Sequence, residues 1–195
     1  MVTGTVLSLA RRGAPVNAIA VAALAENMPD GGASRPGDVV RTLSGKTYEI
    51  ISTDAEGRMV LVDAIWFVQE RDRPRVVVDV ATLTGSQVTA LGDEYAGLFS
   101  RDEALAADLQ AAGAASGEEV WRLPLHPSYA KDLESPIADL RNGGSTPGAG
   151  ASVALACASL KVLVRIAMAI SRAPRPAASG SCSSRKMPTS YQPNW

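Results

Sequence analysis

Residues 52–58, Ser-Thr-Asp-Ala-Glu-Gly-Arg, place two carboxylates and a guanidinium close together in the sequence. In an extended segment the side chains at i and i+2 share a face. Asp54 and Glu56 can therefore aim at one point, and Arg58 lies on the same face if the segment stays extended. Paired carboxylate oxygens suit a divalent cation, and a neighbouring arginine suits an oxyanion. The same residues also fit a strand end followed by an acidic first helical turn, which the helix dipole favours.

Alternating strands and helices are predicted to position this segment, and they indicate an α/β fold. The predicted strands cover 17–24 (a buried parallel strand, although its alanines also permit a helix), 47–52, 75–80, 95–100 and 137–140. The predicted helices cover 2–12, 56–69, 102–115 (with Ser100 available as a cap) and 151–170, and a long loop covers 26–47. Ligands in such folds collect at the carboxyl ends of strands. The acidic run and residues 81–85, Ala-Thr-Leu-Thr-Gly, would both lie at such ends.

Composition narrows the classes of protein that this chain could be. Its 195 residues suffice for one ordinary domain, and a net charge of −1 gives no general attraction to nucleic acid or to an anionic membrane. Cys157 and Cys182 have neither the spacing of a metal site nor the density of a disulfide scaffold. There is no secretory signal pattern and no apolar run of about 18 residues that could span a bilayer. We therefore expect a cytoplasmic protein with no membrane partner.

The composition changes after residue 170. Residues 171–195 are rich in Ser, Pro, Ala and basic residues and show no periodicity, which predicts a disordered or frameshifted tail. The basic residues have no interleaved aromatics or folded platform, so nucleic acid is not expected as a partner. We place one domain at residues 1–170, followed by the tail.

Several blocks surround the acidic run in a fixed order. They are Glu-Asn-Met-Pro at 26–29, Arg-Pro-Gly-Asp at 35–38, Ser-Gly-Lys-Thr at 44–47, Leu-Val-Asp-Ala at 61–64 and the block at 81–85. In this order and spacing, the chain from about residue 2 to about residue 150 resembles the C-terminal catalytic domain of the leucine aminopeptidase (cytosol aminopeptidase) family. The family signature is usually written Asn-Thr-Asp-Ala-Glu-Gly-Arg-Leu. The resemblance implies a layered mixed sheet flanked by helices, and two-metal hydrolysis that releases N-terminal amino acids from peptides.

The resemblance also implies roles for individual residues. Asp54 and Glu56 match ligands of two divalent metal ions, manganese or zinc, and Arg58 matches the catalytic arginine, which would hold bicarbonate. The positions that match substrate-binding residues are Ser52, Ala55, Thr82, Leu83 and Gly85. Ser52 replaces the usual asparagine and so offers one hydroxyl in place of an amide. The family also implies a peptide substrate and a homo-hexamer.

A two-metal site needs more donors than Asp54 and Glu56 can supply. In the family a lysine, two further aspartates and the catalytic lysine come from a segment before the one matching residue 1. A Trp-Ala-His-Leu-Asp block follows the region that matches residue 150, and this sequence has no such block. His126 is expected to be a loop residue, because one histidine makes neither a triad nor a metal cluster. We expect the isolated chain to be an impaired enzyme, and a frameshift or truncated gene copy is a hypothesis for its origin.

Two alternatives remain open at this point. The chain could be a non-catalytic fragment or oligomer-interaction piece of the same family. The glycine-rich stretch at 31–45 could instead bind a phosphate or nucleotide, but Val40 stands where a P-loop would have its first glycine before Ser44-Gly45-Lys46-Thr47.

Overall fold

The computed structural model of the chain describes residues 1–144 and the backbone of residues 165–169. The α-helices are α1 (Val2–Arg11), α2 (Glu56–Asp72), α3 (Ser86–Leu91) and α4 (Glu103–Ser116). The strands are β1 (Val39–Arg41), β2 (Thr47–Glu49), β3 (Val77–Ala81), β4 (Ala96–Ser100), β5 (Val120–Arg122), β6 (Leu140–Arg141) and β7 (Arg165–Ala169). Short 3-10 helices cover Thr53–Ala55 and Pro127–Leu133.

The first sheet has the order β1-β2-β6 and carries the acidic run at one end. β1 and β2 form an antiparallel hairpin, and β6 pairs with β2 in parallel. Apolar side chains from the strands, from α2 and from the second 3-10 helix form one core beneath it: Val40, Tyr48, Ile50, Met59, Leu133 and Leu140. Because Met59 belongs to this core, the first turn of α2 is held against the sheet.

The second sheet has the order β3-β7-β4-β5. β7 is parallel to β3 and antiparallel to β4, and β5 is parallel to β4. α4 packs on this sheet through Ala106, which contacts Leu98 and Val120 in a second apolar cluster. Phe99 forms the centre of a third cluster with Leu83 and two leucines of the segment after β5.

The mixed α/β architecture agrees with the prediction, and α1, α2, α4, β3 and β4 lie within a few residues of their predicted bounds. The layered sheet is divided into two sheets, so the ends of β2 and β3 do not share one sheet edge. The helix α4 begins after Asp102, whose carboxylate accepts a hydrogen bond from the Leu105 amide at 2.9 Å. Asp102, and not Ser100, is therefore the capping residue.

Two predicted elements are wrong. Residues 17–24 form neither strand nor helix, and Ile19 is 52% exposed, because no described strand pairs with this segment. The predicted helix over 151–170 is wrong at residues 165–169, which form β7 between two strands of the second sheet. Residues 151–164, both cysteines and the predicted tail lie outside the described residues. Among the described helices, none combines the length and apolar character that crossing a membrane requires.

Candidate active site

The acidic run begins α2. Ser52 is extended, residues Thr53–Ala55 form a 3-10 turn, and Glu56 is the first residue of the helix. The predicted alternation of an extended strand is therefore wrong here, since residues two apart on a helix do not face the same side. Asp54 is exposed, Ala55 is buried and Glu56 is half-buried. The acidic residues occupy a helix start, where the helix dipole favours negative charge.

Glu56 borders a cleft of about 430 Å³ between the start of α2 and the loop at 25–34. Ser52 and Thr53 line the same cleft, together with Glu26 and Met28 from the loop. The Oε2 atom of Glu56 is buried and has no hydrogen-bond partner among the described residues. Burying a carboxylate oxygen without a partner is unfavourable, so this oxygen is suited to receive a cation or a donor from a ligand.

The donors fit a divalent-cation site in part. Carboxylate oxygens are the ligand type that such ions prefer, and no described residue lining the cleft is basic. Asp54, however, is exposed and does not line the cleft. Within residues 1–144, no group of three or more His, Cys, Asp or Glu side chains is arranged to hold a metal. A two-metal centre would therefore need donors beyond Asp54 and Glu56.

Arg58 does not itself line this cleft, but its guanidinium contacts Asn142, which follows β6 and does line it. Its Nη1 atom donates a hydrogen bond of 2.7 Å to the backbone oxygen of Asn142. The same asparagine binds the other end of the run, because its Nδ2 atom donates to the Ser52 carbonyl at 2.8 Å. Asn142 was not among the predicted site residues, since Arg-Asn-Gly-Gly at 141–144 has the composition of a turn and gives no further signal.

Asn27 is a second residue that sequence reasoning did not assign. Its Nδ2 atom donates to the Thr53 carbonyl at 3.1 Å, which joins the Glu-Asn-Met-Pro block to the 3-10 turn. The sequence signal for this contact was the fixed position of the Glu-Asn-Met-Pro block ahead of the acidic run. The contact shows that the loop at 25–34 is fastened to the run whose cleft it lines.

The segment after β3 reaches the start of α2 through Leu83. A Cβ atom placed on Gly57 would lie 2.9 Å from Leu83 Cδ2, so the glycine makes this close approach possible. Thr82 and Gly85 are exposed, and neither lines the cleft beside Glu56. The structure therefore brings Ser52 and Glu56 together in the cleft. It places Leu83, from the segment after β3, against Gly57 in the first turn of α2. It leaves Asp54, Thr82 and Gly85 on the surface.

Two other sequence features have local structural roles. His126 is exposed and caps the second 3-10 helix, with its Nδ1 atom accepting from the Ser128 amide at 3.2 Å. Gly45, with a φ of +83°, lies in the hairpin turn between β1 and β2, and the Thr42 amide bonds the Lys46 carbonyl across it at 2.8 Å. A P-loop leads into a helix, whereas this turn leads into a strand, so the phosphate-binding alternative is not supported.

Comparison with solved structures defines the class of fold. The chain superimposes on leucyl aminopeptidase of Trypanosoma brucei with a TM-score of 0.72 and 35% sequence identity, covering 75% of this chain and 31% of that one. A tomato leucine aminopeptidase mutant gives a TM-score of 0.69 and 36% identity over 73% of this chain and 29% of that chain. The described elements therefore form part of a leucine-aminopeptidase fold.

Sequence comparison gives the family. The model of the cytosol aminopeptidase family, catalytic domain, matches residues 1–169. A probable cytosol aminopeptidase of Caulobacter vibrioides is 54% identical over 154 residues, and the cytosol aminopeptidase of Rickettsia prowazekii is 52% identical over 151 residues. These alignments cover 79% and 77% of this chain. The chain belongs to the cytosol aminopeptidase family, and it spans 31% and 30% of the length of these two relatives.

Proposed function

We propose that this chain contributes part of the active site of a leucyl-aminopeptidase-type metallohydrolase that releases N-terminal amino acids from peptides. The observation that carries the proposal is the buried Oε2 atom of Glu56, which has no hydrogen-bond partner in the described part of the chain and borders the cleft. Membership of a family of aminopeptidases supports peptides as the substrate class.

The residues of the acidic run have distinct roles in this proposal. Asp54 and Glu56 would contribute ligands to divalent ions, manganese or zinc, together with donors from outside the described residues. When bound, such ions polarise a carbonyl group and bring the pKa of a bound water near neutrality. Arg58 would hold bicarbonate, because a guanidinium matches a planar oxyanion with two parallel hydrogen bonds.

The substrate would be oriented by the residues on either side of the signature. Ser52 lines the cleft, and its hydroxyl can accept or donate a hydrogen bond to a peptide group. Leu83 packs against the first turn of α2 and would add apolar surface beside it. The full set that we propose for substrate binding is Ser52, Ala55, Thr82, Leu83 and Gly85.

The wider assignments are part of the same proposal. Residues 1–170 would be a partial catalytic domain, and residues 171–195 a tail outside it. Relatives named cytosol aminopeptidases support a cytoplasmic location, and the family resemblance suggests a homo-hexamer. Because the described residues supply fewer than three clustered metal ligands, we propose that the isolated chain has weak activity or none.

That shortage of ligands also favours a second candidate function. The chain could be a non-catalytic piece that joins an assembly of intact homologues. Sedimentation of the chain alone and mixed with an intact family member distinguishes the two candidates. Co-sedimentation without turnover supports the interaction piece, whereas turnover by the chain alone supports the enzyme.

Hydrolysis of leucine p-nitroanilide tests the catalytic proposal. The purified chain is assayed with manganese and, separately, with zinc, beside a Glu56→Gln variant. Weak turnover that requires metal and is lost in the variant supports a contribution to a metallohydrolase site. Turnover equal to that of an intact family enzyme would contradict the proposed impairment, and turnover retained by Glu56→Gln would contradict the role of Glu56.

A further inference from the structure

Asn142 is a fully buried polar residue whose side chain, among the described residues, bonds to the backbone of Ile51 and Ser52, where the acidic run begins. It is 0% exposed. Its Oδ1 atom accepts from the Ile51 amide at 2.8 Å and from the Ser52 amide at 3.3 Å, and its Nδ2 atom donates to the Ser52 carbonyl at 2.8 Å. The side-chain amide therefore both donates and accepts, as a peptide group does.

These bonds continue the pairing of two strands beyond the point where the strands end. The β2–β6 register pairs Glu49 with Arg141, and the next backbone bond runs from the Asn142 amide to the Glu49 carbonyl at 3.0 Å. Past that bond β6 has ended, and residues 142–143 form a bend. The Asn142 side chain takes the place of the missing strand and holds the backbone of Ile51 and of Ser52, which is extended.

Asn142 also binds the opposite end of the run through its own carbonyl, which accepts from Arg58 Nη1 at 2.7 Å. One buried residue thus contacts Ser52, which precedes Asp54, and Arg58, which follows Glu56. We propose that Asn142 is a positioning residue that fixes the two ends of the acidic run relative to each other, and with them the directions of Asp54 and Glu56. The inference rests on the proposed function, because that function gives the directions of Asp54 and Glu56 their purpose, which is metal binding.

The side-chain chemistry of Asn142 allows a graded test. Asn142→Leu has similar size but neither donates nor accepts hydrogen bonds. Asn142→Asp keeps the acceptor for the Ile51 amide and loses the donor to Ser52. Asn17→Leu makes the same asparagine-to-leucine change at an exposed position and serves as the matched control. If Asn142→Leu unfolds as a whole, Asn142→Ala, which leaves room for water, replaces it.

Amide hydrogen exchange of the full chain by NMR is the first measurement. Asn142→Leu is expected to speed exchange at Ile51 and Ser52 by about tenfold, since each loses one hydrogen bond, while the amides of β4 are unchanged. Asn142→Asp is expected to restore protection at Ile51. Exchange that rises equally across both sheets, or that stays at the rate of the Asn17→Leu control, overturns the inference.

Titration with Mn²⁺ is the second measurement, with binding followed by calorimetry. Loss of a residue that orients metal ligands typically weakens metal affinity by about 10- to 100-fold, and we expect this range for Asn142→Leu. Equal affinity in Asn142→Leu and Asn17→Leu overturns the positioning role. If the unsubstituted chain binds no Mn²⁺, the proposed function fails, and the exchange rates alone decide the role of Asn142.

Discussion

Leu83 fills the space that a side chain on Gly57 would occupy: a Cβ atom at Gly57 would lie 2.9 Å from Leu83 Cδ2. The contact joins the segment after β3 to the first turn of α2, and it connects the two sheets next to Glu56. Gly113 in α4 has a comparable close neighbour, but there the atom 2.7 Å away is the backbone oxygen of Glu118. The end of a leucine side chain can rotate, whereas a backbone carbonyl cannot move without shifting its chain.

We expect Gly57→Ala and Gly113→Ala to differ in stability. Alanine gains up to about 1 kcal/mol over glycine within a helix. At Gly57 this gain offsets the displacement of Leu83, so the free energy of unfolding should change by less than about 1 kcal/mol. At Gly113 overpacking against backbone should destabilise the protein by about 1–3 kcal/mol. Urea unfolding of both variants checks the order, and equal losses would contradict it.

The cap of α4 gives a second prediction. Asp102→Ala removes the carboxylate that accepts from the Leu105 amide and should lower the free energy of unfolding by about 1 kcal/mol. Asp108→Ala, an exposed change within the same helix, should be neutral or slightly stabilising because alanine favours helix. Thermal unfolding of the two variants measures the difference. A loss no larger for Asp102→Ala than for Asp108→Ala would show that the cap contributes nothing.

Glu56→Gln should separate metal binding from stability. Without a charged oxygen to coordinate the ion, Mn²⁺ affinity should fall at least about tenfold. Stability without metal should change by less than about 1 kcal/mol, because relief of the buried charge opposes the lost interaction with the helix dipole. Glu70→Gln, exposed at the far end of α2, is the control. Calorimetric titration and urea unfolding test both parts, and unchanged Mn²⁺ affinity would remove Glu56 from the proposed ligands.

Asp139 gives a prediction about pH. Hydrogen bonds from the Thr47 amide, at 2.8 Å, and from the Thr47 hydroxyl, at 2.9 Å, lower the pKa of Asp139 below its ordinary value of 3.8. The charged carboxylate therefore stabilises the fold above about pH 4, and this contribution is lost as pH falls through the lowered pKa. Asp139→Asn should be less stable than the unsubstituted chain at pH 6, and the two should converge near pH 2.

Unfolding curves between pH 2 and pH 7 measure that convergence. Asp108→Asn removes a charge at an exposed position and controls for the change in net charge. A stability difference between Asp139→Asn and the unsubstituted chain that is constant with pH would contradict a role for the charged Asp139.

The sequence predicted what depends on local pattern. The apolar spacing of α2 and the alanine-rich composition of α4 identified both helices, and the β-branched run at 76–78 identified β3. The acidic run with its flanking blocks identified the family without any coordinates. The positions of Asp54 and Glu56 were harder to predict, because a strand end and a 3-10 turn into a helix are both compatible with Thr-Asp-Ala-Glu.

Long-range partners account for most of what the sequence could not predict. The bonds from Asn142 reach Arg58 and Ile51 across 84 and 91 residues, and no local pattern encodes such a pairing. Residues 17–24 have the composition of a buried strand, but a strand also needs a neighbour, and none of the described strands is beside them. The role of Leu83 depended on its contact with Gly57, which only the packed structure reveals.

The position of β7 in the second sheet affects the order in which the protein can fold during synthesis. β7 is last in sequence among the described elements, yet it lies between β3 and β4 and pairs with both. β3 and β4 therefore lack their shared neighbour until residue 169 has left the ribosome. Until then their open edges are available for pairing with other chains, and contacts this distant in sequence form slowly. Nascent chains in which β7 has not yet emerged from the ribosome should therefore be the species most dependent on chaperones.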